Sequence, residues 1–208
     1  MDMEKDYIKA INESASMRIK KEKRNNYILS YLHDLVFLVA GVLLVFSLLF
    51  RIIVVSGPSM KSTLIDGDWL ILLNNVFYTE PEQGDIVVIS KKAYDDGTPI
   101  IKRIIATEGQ TVDIDFNSGT VYVDGTALSE DYVNTPTNLK EGVEFPLTIN
   151  ENCVFVLGDN RNESKDSRSP EIGLVDCREI LGKAVVLLFP GDEKGTLTRD
   201  YSRIGGVS

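Results

Sequence analysis

Leu35 to Val55 is apolar for 21 residues, broken only by Ser47 and Arg51. As a helix rising 1.5 Å per residue, this run would be about 31 Å long, the thickness of a bilayer's hydrocarbon core. A buried core helix rarely reaches that length, so the run reads as a membrane anchor. Arg51 lies near its outer end, where a guanidinium can snorkel to the headgroups. A cleaved secretory signal fits less well, because the run starts deep in the chain and no small-x-small site follows it.

The anchor organises a chain of 208 residues, which has room for one ordinary folded domain besides it. Arg18, Lys20, Lys21, Lys23 and Arg24 fall within seven positions ahead of the run, an excess that favours a cytoplasmic N-terminus. Residues 1–34 are then a mobile or interfacial cytoplasmic tail, 35–55 a single transmembrane helix and 56–208 an extracytoplasmic domain at the plasma membrane. From Ser56 onward there are 14 Lys and Arg against 25 Asp and Glu, within a whole-chain net charge of −9. So acidic a domain is a poor partner for nucleic acid.

Past the anchor the chain reads as short strands rich in Val and Ile, separated by Gly, Asp, Asn or Pro. The expected strands are 69–73, 86–90, 100–107, 120–123, 153–157 and 183–189, in a mainly β, antiparallel domain. Asp124-Gly125 marks a hairpin turn, and short helical turns are expected after Ser59 and around 175–181. Residues 126–150, polar with two prolines, read as a long excursion from the sheet, and the tail after Pro190 as frayed.

His33 is the chain's one histidine, and it precedes the anchor. A Ser-His-Asp triad or a His-rich zinc site is therefore excluded. A nucleophilic serine here would need Lys, Asp or Glu as its base. Ser59, in Ser56-Gly57-Pro58-Ser59-Met60, follows the anchor by four residues, which reach at most about 14 Å when extended. Pro58 and Gly57 shape the turn so that both the hydroxyl and the amide of Ser59 can face a carbonyl.

Lys102 sits between isoleucine pairs in an expected strand, where alternation sends Lys102 and Arg103 to opposite faces and one of them onto an apolar layer. A lysine useful as a base near neutral pH must lose roughly 3 pKa units, about 4 kcal/mol of desolvation. A third segment, Gly158 to Arg168, follows an apolar strand and is dense in side chains able to cross-link loops. Taken alone, each of the three also has a plainer reading as a capped turn, a snorkelling edge lysine or a solvated loop.

Together the three segments resemble the type I signal peptidase family. Its serine box is matched by Ser56 to Leu64, a further box by Gly84-Asp85-Ile86-Val87-Val88, its lysine box by Lys102-Arg103-Ile104-Ile105, and its last box by Gly158 to Arg168. The resemblance implies a β-rich fold shared with Ser/Lys repressor-cleavage domains, and a membrane-bound serine endopeptidase that removes signal peptides from exported preproteins. Ser59 would be the nucleophile and Lys102 the general base. Ser164 would hydrogen-bond and orient Lys102; Asp159, Arg161, Asp166 and Arg168 would brace the loop beneath the pair; Met60 would lie against the substrate cleft.

The partners implied are preprotein signal peptides with small residues near the cut, the lipid bilayer and secretion machinery; no metal or cofactor is called for. Two positions depart from the family pattern. Gly57 stands where some members carry an oxyanion-hole serine, leaving Ser56 as a candidate second donor, and Ser62 stands where a proline is usual. The competing reading is a membrane-tethered, non-catalytic β domain that binds an extracellular partner, which requires Ser59 and Lys102 to lie apart or Lys102 to stay solvated.

Cys153 and Cys177 are expected as two buried thiols, with a disulfide left open.

Overall fold

A computed structural model of the chain describes residues 2–192 and 199–207. It divides into two units, Met1–Leu48 and Leu49–Ser208. The first is one helix, α1 (Asp2–Leu49). Residues 2–34, expected as a mobile or interfacial tail, are therefore helical. Within α1, Ser16–Leu49 is long and apolar enough to cross a membrane by length and composition.

The expected anchor is corrected at its outer end. The helix stops at Leu49, and Phe50–Val54 forms β1, paired antiparallel with β2 (Trp69–Asn74). Phe50-Arg51-Ile52-Ile53-Val54 continues the apolar run apart from Arg51, but β-branched residues favour a pleated partner when one is offered. Arg51 pairs with Leu72 in this ladder and is exposed, so it belongs to a sheet and not to a helix end.

Apart from short 3₁₀ turns, the second unit's described regular structure is β: β3 (Ile86–Ile89), β4 (Ile100–Ala106), β5 (Thr111–Asp115), β6 (Thr120–Val123), β7 (Thr126–Ala127), β8 (Leu147–Thr148), β9 (Cys153–Leu157), β10 (Val175–Asp176), β11 (Ile180–Phe189) and β12 (Gly205–Gly206). One sheet runs in the order β1-β2-β11-β3-β4-β9-β10, with β12 added to β11. The other runs β7-β6-β5-β8. Every pairing is antiparallel.

The predicted strands are all present, and β11 begins earlier than expected, at Ile180. Asp124 and Gly125 take φ of 51° and 76°, the left-handed pair that a tight hairpin between β6 and β7 requires. A short 3₁₀ turn at Cys177–Glu179 fills the expected helical position. After Ser59 the chain makes only turns, closed by Thr63 and Leu64 amides on the Met60 carbonyl at 3.1 and 2.8 Å.

β5 escaped the sequence reading because Thr-Val-Asp-Ile-Asp has only two apolar residues; these two are buried while its aspartates face out. The tail after Pro190 is not simply frayed: Gly205 and Gly206 pair with Leu187 and Val186. Cys153 and Cys177 are free thiols, partly and not fully buried.

Three apolar clusters pack the unit. Val55, Met60, Leu64 and Leu72 lie in the first, Ile105, Phe155 and Leu157 in the second, and Ile89, Ile104 and Val156 in the third. β4 supplies side chains to all of them, so its position is fixed on every side.

Candidate active site

Ser59 lies in the loop that joins β1 to β2. The loop is pinched at its base, where the Val55 amide meets the Asp68 carbonyl at 2.8 Å and the Gly67 amide meets the Val55 carbonyl at 2.9 Å. Gly57 holds φ of 92°, open to glycine and costly for other residues, and its amide donates to Asp66 Oδ1 at 2.9 Å. Ser62, where the family pattern has proline, holds φ of 96°. A proline ring fixes φ near −65°, so this turn excludes it.

Lys102 is in the middle of β4, paired with Val87 of β3. Its Nζ donates to Ser59 Oγ at 2.8 Å and to the Ile101 carbonyl at 2.9 Å. The side chain is 2% exposed, and burial pushes its pKa down from 10.5 to about 8. The charges of Asp166, Asp159 and Glu141 resist that shift, and Arg168 assists it.

Strand alternation led us to expect one cation on an apolar layer; the structure buries both. Arg103 is also 2% exposed, but it is fully paired. Its Nε and Nη2 donate to the two oxygens of Asp159 at 2.9 and 2.8 Å, its Nη1 to the Gly84 carbonyl at 2.8 Å, and Tyr132 covers the guanidinium at 3.9 Å. Among the described residues the neighbouring lysine has no such carboxylate partner, which is why its charge is the unstable one.

The Gly158–Arg168 loop closes on the serine turn from the end of β9. The Asn160 amide donates to the Ser59 carbonyl at 3.0 Å, and Asn160 Nδ2 to the Pro58 carbonyl at 3.1 Å. Asp159 also accepts from Thr63 Oγ1, so one carboxylate ties β4, the serine turn and this loop. Arg161 donates to the Gly158 carbonyl at 3.1 Å, to Thr137 Oγ1 at 2.7 Å and to Glu130. Arg168 is held by Asp166 at 2.8 and 2.9 Å, and Asp166 accepts the Gly158 amide at 3.1 Å.

One expected placement is revised. Ser164, assigned by resemblance to orient Lys102, is buried, but its hydroxyl makes no hydrogen bond among the described residues. The second bond of Lys102 goes instead to the carbonyl of Ile101, its neighbour on the strand, which needs no side chain to come into register. Met60 is 1% exposed and belongs to the core as well as to the cleft. Ser56 is exposed and lines the same groove as Ser59.

That groove has a volume of about 400 Å³ and is walled by Ile53, Val54, Val55, Met60, Val88, Pro99, Ile100 and Ile101. Its walls are apolar and its chemistry is concentrated at Ser59. The competing reading of a non-catalytic binding domain needed Ser59 and Lys102 apart or the lysine solvated, and neither condition is met.

Among known families, the one described as signal peptidase, peptidase S26, matches residues 28–189. This chain belongs to the signal peptidase family. It is 32% identical over 182 residues to signal peptidase I of Bacillus licheniformis, spanning 84% of this chain and 95% of that protein. It is 37% identical over 169 residues to the probable signal peptidase I-1 of a Synechocystis species, spanning 75% and 82% respectively. A crystal structure of a signal peptidase I from Enterococcus faecalis V583 shares 32% identity over 50% of this chain and 97% of that one, with a TM-score of 0.41. Membership in the signal peptidase family makes the chain a serine endopeptidase with an N-terminal apolar helix as its anchor.

Sequence reading missed several residues that build this site. The motif around Lys102 contains Arg103 without marking its role, although a second cation among isoleucines signals a buried partner. Tyr132, Glu130, Thr137 and Glu141 carry no sequence signal, because their partners lie in another loop.

Proposed function

We propose that Ser59 is the nucleophile and Lys102 the general base of a signal peptidase that cleaves signal peptides from preproteins at a membrane surface. The observation that carries this reading is the 2.8 Å contact between a buried lysine amine and the serine hydroxyl. When Lys102 is neutral, the same contact serves with the hydroxyl donating to the nitrogen lone pair. The bond to the Ile101 carbonyl holds one N–H aside and leaves that lone pair aimed at Ser59.

Lys102 takes the Ser59 proton as Oγ attacks the scissile carbonyl carbon. The resulting ammonium gives its proton to the leaving amine as the C–N bond breaks, leaving an acyl-enzyme. Water, deprotonated by the same amine, attacks the ester; the proton returns to Ser59 and the signal peptide leaves as a carboxylate. The Ser59 amide, which makes no hydrogen bond among the described residues, is a donor for the oxyanion, a role typically worth about 3 kcal/mol. Ser56 is the candidate second donor.

β1 is an edge strand of the large sheet, and Ile53 to Val55 line the groove. An extended peptide can therefore add to it by main-chain bonds, with the apolar walls selecting small side chains. Asp159, Arg161, Asp166 and Arg168 keep the loop rigid beneath the pair. The N-terminal basic cluster favours a single-pass arrangement with the N-terminus cytoplasmic and residues 50–208 outside. The helical anchor then ends at Leu49 and takes its length from Tyr27 to Leu32 upstream. Lipid and the secretion machinery are the partners this arrangement brings alongside.

The test is cleavage of a preprotein by the detergent-solubilised protein, with the cut mapped by mass spectrometry. Ser59→Ala and Lys102→Ala are each expected to abolish it. Cleavage surviving both substitutions would overturn the assignment.

A further inference from the structure

The polar excursion 126–150 carries no motif, yet it supplies acidic partners for both arginines of the Gly158–Arg168 loop. Glu130 takes two nitrogens of Arg161, and Glu141 lies 3.5 Å from Arg168. The two pairs are not equivalent. Glu130 meets an arginine that is otherwise bound to Thr137 and to the Gly158 carbonyl. Glu141 meets an arginine already held by Asp166, whose carboxylate also fixes the Gly158 amide.

Gly158 is the last link to the dyad. A Cβ placed there would fall 2.5 Å from the Ser59 carbonyl oxygen, so the two backbones are in direct contact. Contacts therefore run from Glu141 through Arg168, Asp166 and Gly158 to Ser59. The segment that carries Glu141 is stitched down beside it, with the Val143 amide on the Arg168 carbonyl at 3.0 Å. Glu141 Oε2 is buried and has no hydrogen bond among the described residues. A carboxylate placed only to brace a loop would use both oxygens, because an unpaired one is costly when buried.

We propose that Glu141 is a positioning residue for the Ser59–Lys102 pair, holding Arg168 together with Asp166 and offsetting the arginine's charge at the lysine. This rests on the reading of Lys102 as the base. The charges facing Lys102 are Asp166, Asp159 and Glu141, which favour its ammonium, and Arg168, which opposes it. Asp159 is already neutralised by Arg103. Glu141 faces Asp166 and Glu171, Arg168 and Lys165; its own carboxyl is raised, first by burial and then by Asp166. Glu130 pairs with Arg161, which binds Thr137 and the Gly158 carbonyl and not Asp166, and so it provides the control.

Removing the Glu141 charge makes the ammonium of Lys102 less favourable. In Glu141→Gln the acid limb of kcat/KM for preprotein cleavage is therefore expected to move to lower pH by a few tenths of a unit or more. Glu130→Gln is expected to lower the rate without moving that limb, and Glu141→Asp to restore the wild-type midpoint. Lys102 is also titrated without turnover, by the pH dependence of its modification with trinitrobenzenesulfonate, located by peptide mass spectrometry. That measurement applies to any variant that stays folded by circular dichroism, and Glu141→Leu stands beside Glu141→Gln should the latter be unstable. An unchanged midpoint, or one displaced upward, overturns the role of Glu141. Cleavage that does not depend on Ser59 and Lys102 would instead overturn the function, while the titration of the lysine would still read the charge.

Discussion

Arg103 grips both carboxylate oxygens of Asp159, at 2.9 and 2.8 Å, one residue along β4 from Lys102. The pair is almost wholly buried, 2% exposed on the arginine side and 0% on the aspartate side. It lets the fold place two adjacent cations inside: one fully paired, the other left without a carboxylate of its own and therefore easily deprotonated.

Breaking that pair leaves a buried charge uncompensated, which costs about 3–5 kcal/mol. Arg103→Met and Asp159→Leu are each expected to lower the melting temperature of the solubilised protein sharply, and the double variant to recover much of the loss. Activity is not recovered with it, because Asp159 also anchors Thr63 of the serine turn. Thermal melts and cleavage assays on the three variants check both halves.

The pH dependence follows from Lys102. The free base is the active form, so kcat/KM is expected to rise with pH through about 8 and then level. A profile flat from pH 5 to 9 would remove Lys102 from the mechanism.

The same shift makes Lys102 a stability cost. Its folded pKa of about 8 lies below the unfolded 10.5, so between those values the unfolded chain binds more protons and stability rises with pH. Below about pH 8 the full penalty applies, about 3 kcal/mol for the shift. Lys102→Met is therefore expected to be inactive yet more stable than the parent at pH 7, with the gain vanishing above pH 10.5. Melts at pH 7 and pH 10.5 measure the difference.

Gly158→Ala is expected to disable the site. A Cβ there would lie 2.1 Å from Ser164 Oγ and 2.5 Å from the Ser59 carbonyl oxygen. Rotating the Ser164 hydroxyl does not relieve this, because Ser164 Cβ would also lie 2.4 Å away and the Ser59 carbonyl is backbone, so the two loops must part. A displacement near 1 Å can cost about a hundredfold in rate. Wild-type turnover by this variant would show that the loops have slack.

Arg203, near the C-terminus, secures the serine turn from below. It donates to both oxygens of Asp68 at 3.0 and 2.7 Å and to the Thr63 carbonyl at 3.1 Å. Asp68 is 0% exposed and also accepts the Ile65 and Gly191 amides at 2.8 and 2.7 Å. Arg203→Ala is expected to cost about 1–3 kcal/mol and to expose the turn to limited proteolysis. Asp68→Ala, which strands four donors, should cost more than Arg203→Ala in the same melts.

Much of this was legible before any coordinates. Ser59, Lys102 and the loop from Gly158 carry their chemistry in short motifs, and the central strands of the large sheet, β2, β11, β3, β4 and β9, announce themselves by runs of apolar residues. β1 was not legible, because an apolar β-branched stretch that continues a helix has no local mark of its ending; its partner, β2, lies beyond the serine turn. The Ser164 hydrogen bond was inferred from resemblance, and the structure gives that bond to a backbone carbonyl. Glu130 and Glu141 are ordinary glutamates in a polar loop until Arg161 and Arg168 are brought against them.

The order of residues alone determined an apolar anchor, an acidic β domain behind it and a serine whose base could not be histidine, because hydrophobic run length and side-chain inventory are local properties. Which cation would be paired and which left to deprotonate was decided only in three dimensions. Lys102 and Arg103 are neighbours of equal charge, and what separates them is the surroundings that folding assembles: a desolvated pocket opposite Ser59 for one, the carboxylate of Asp159 for the other.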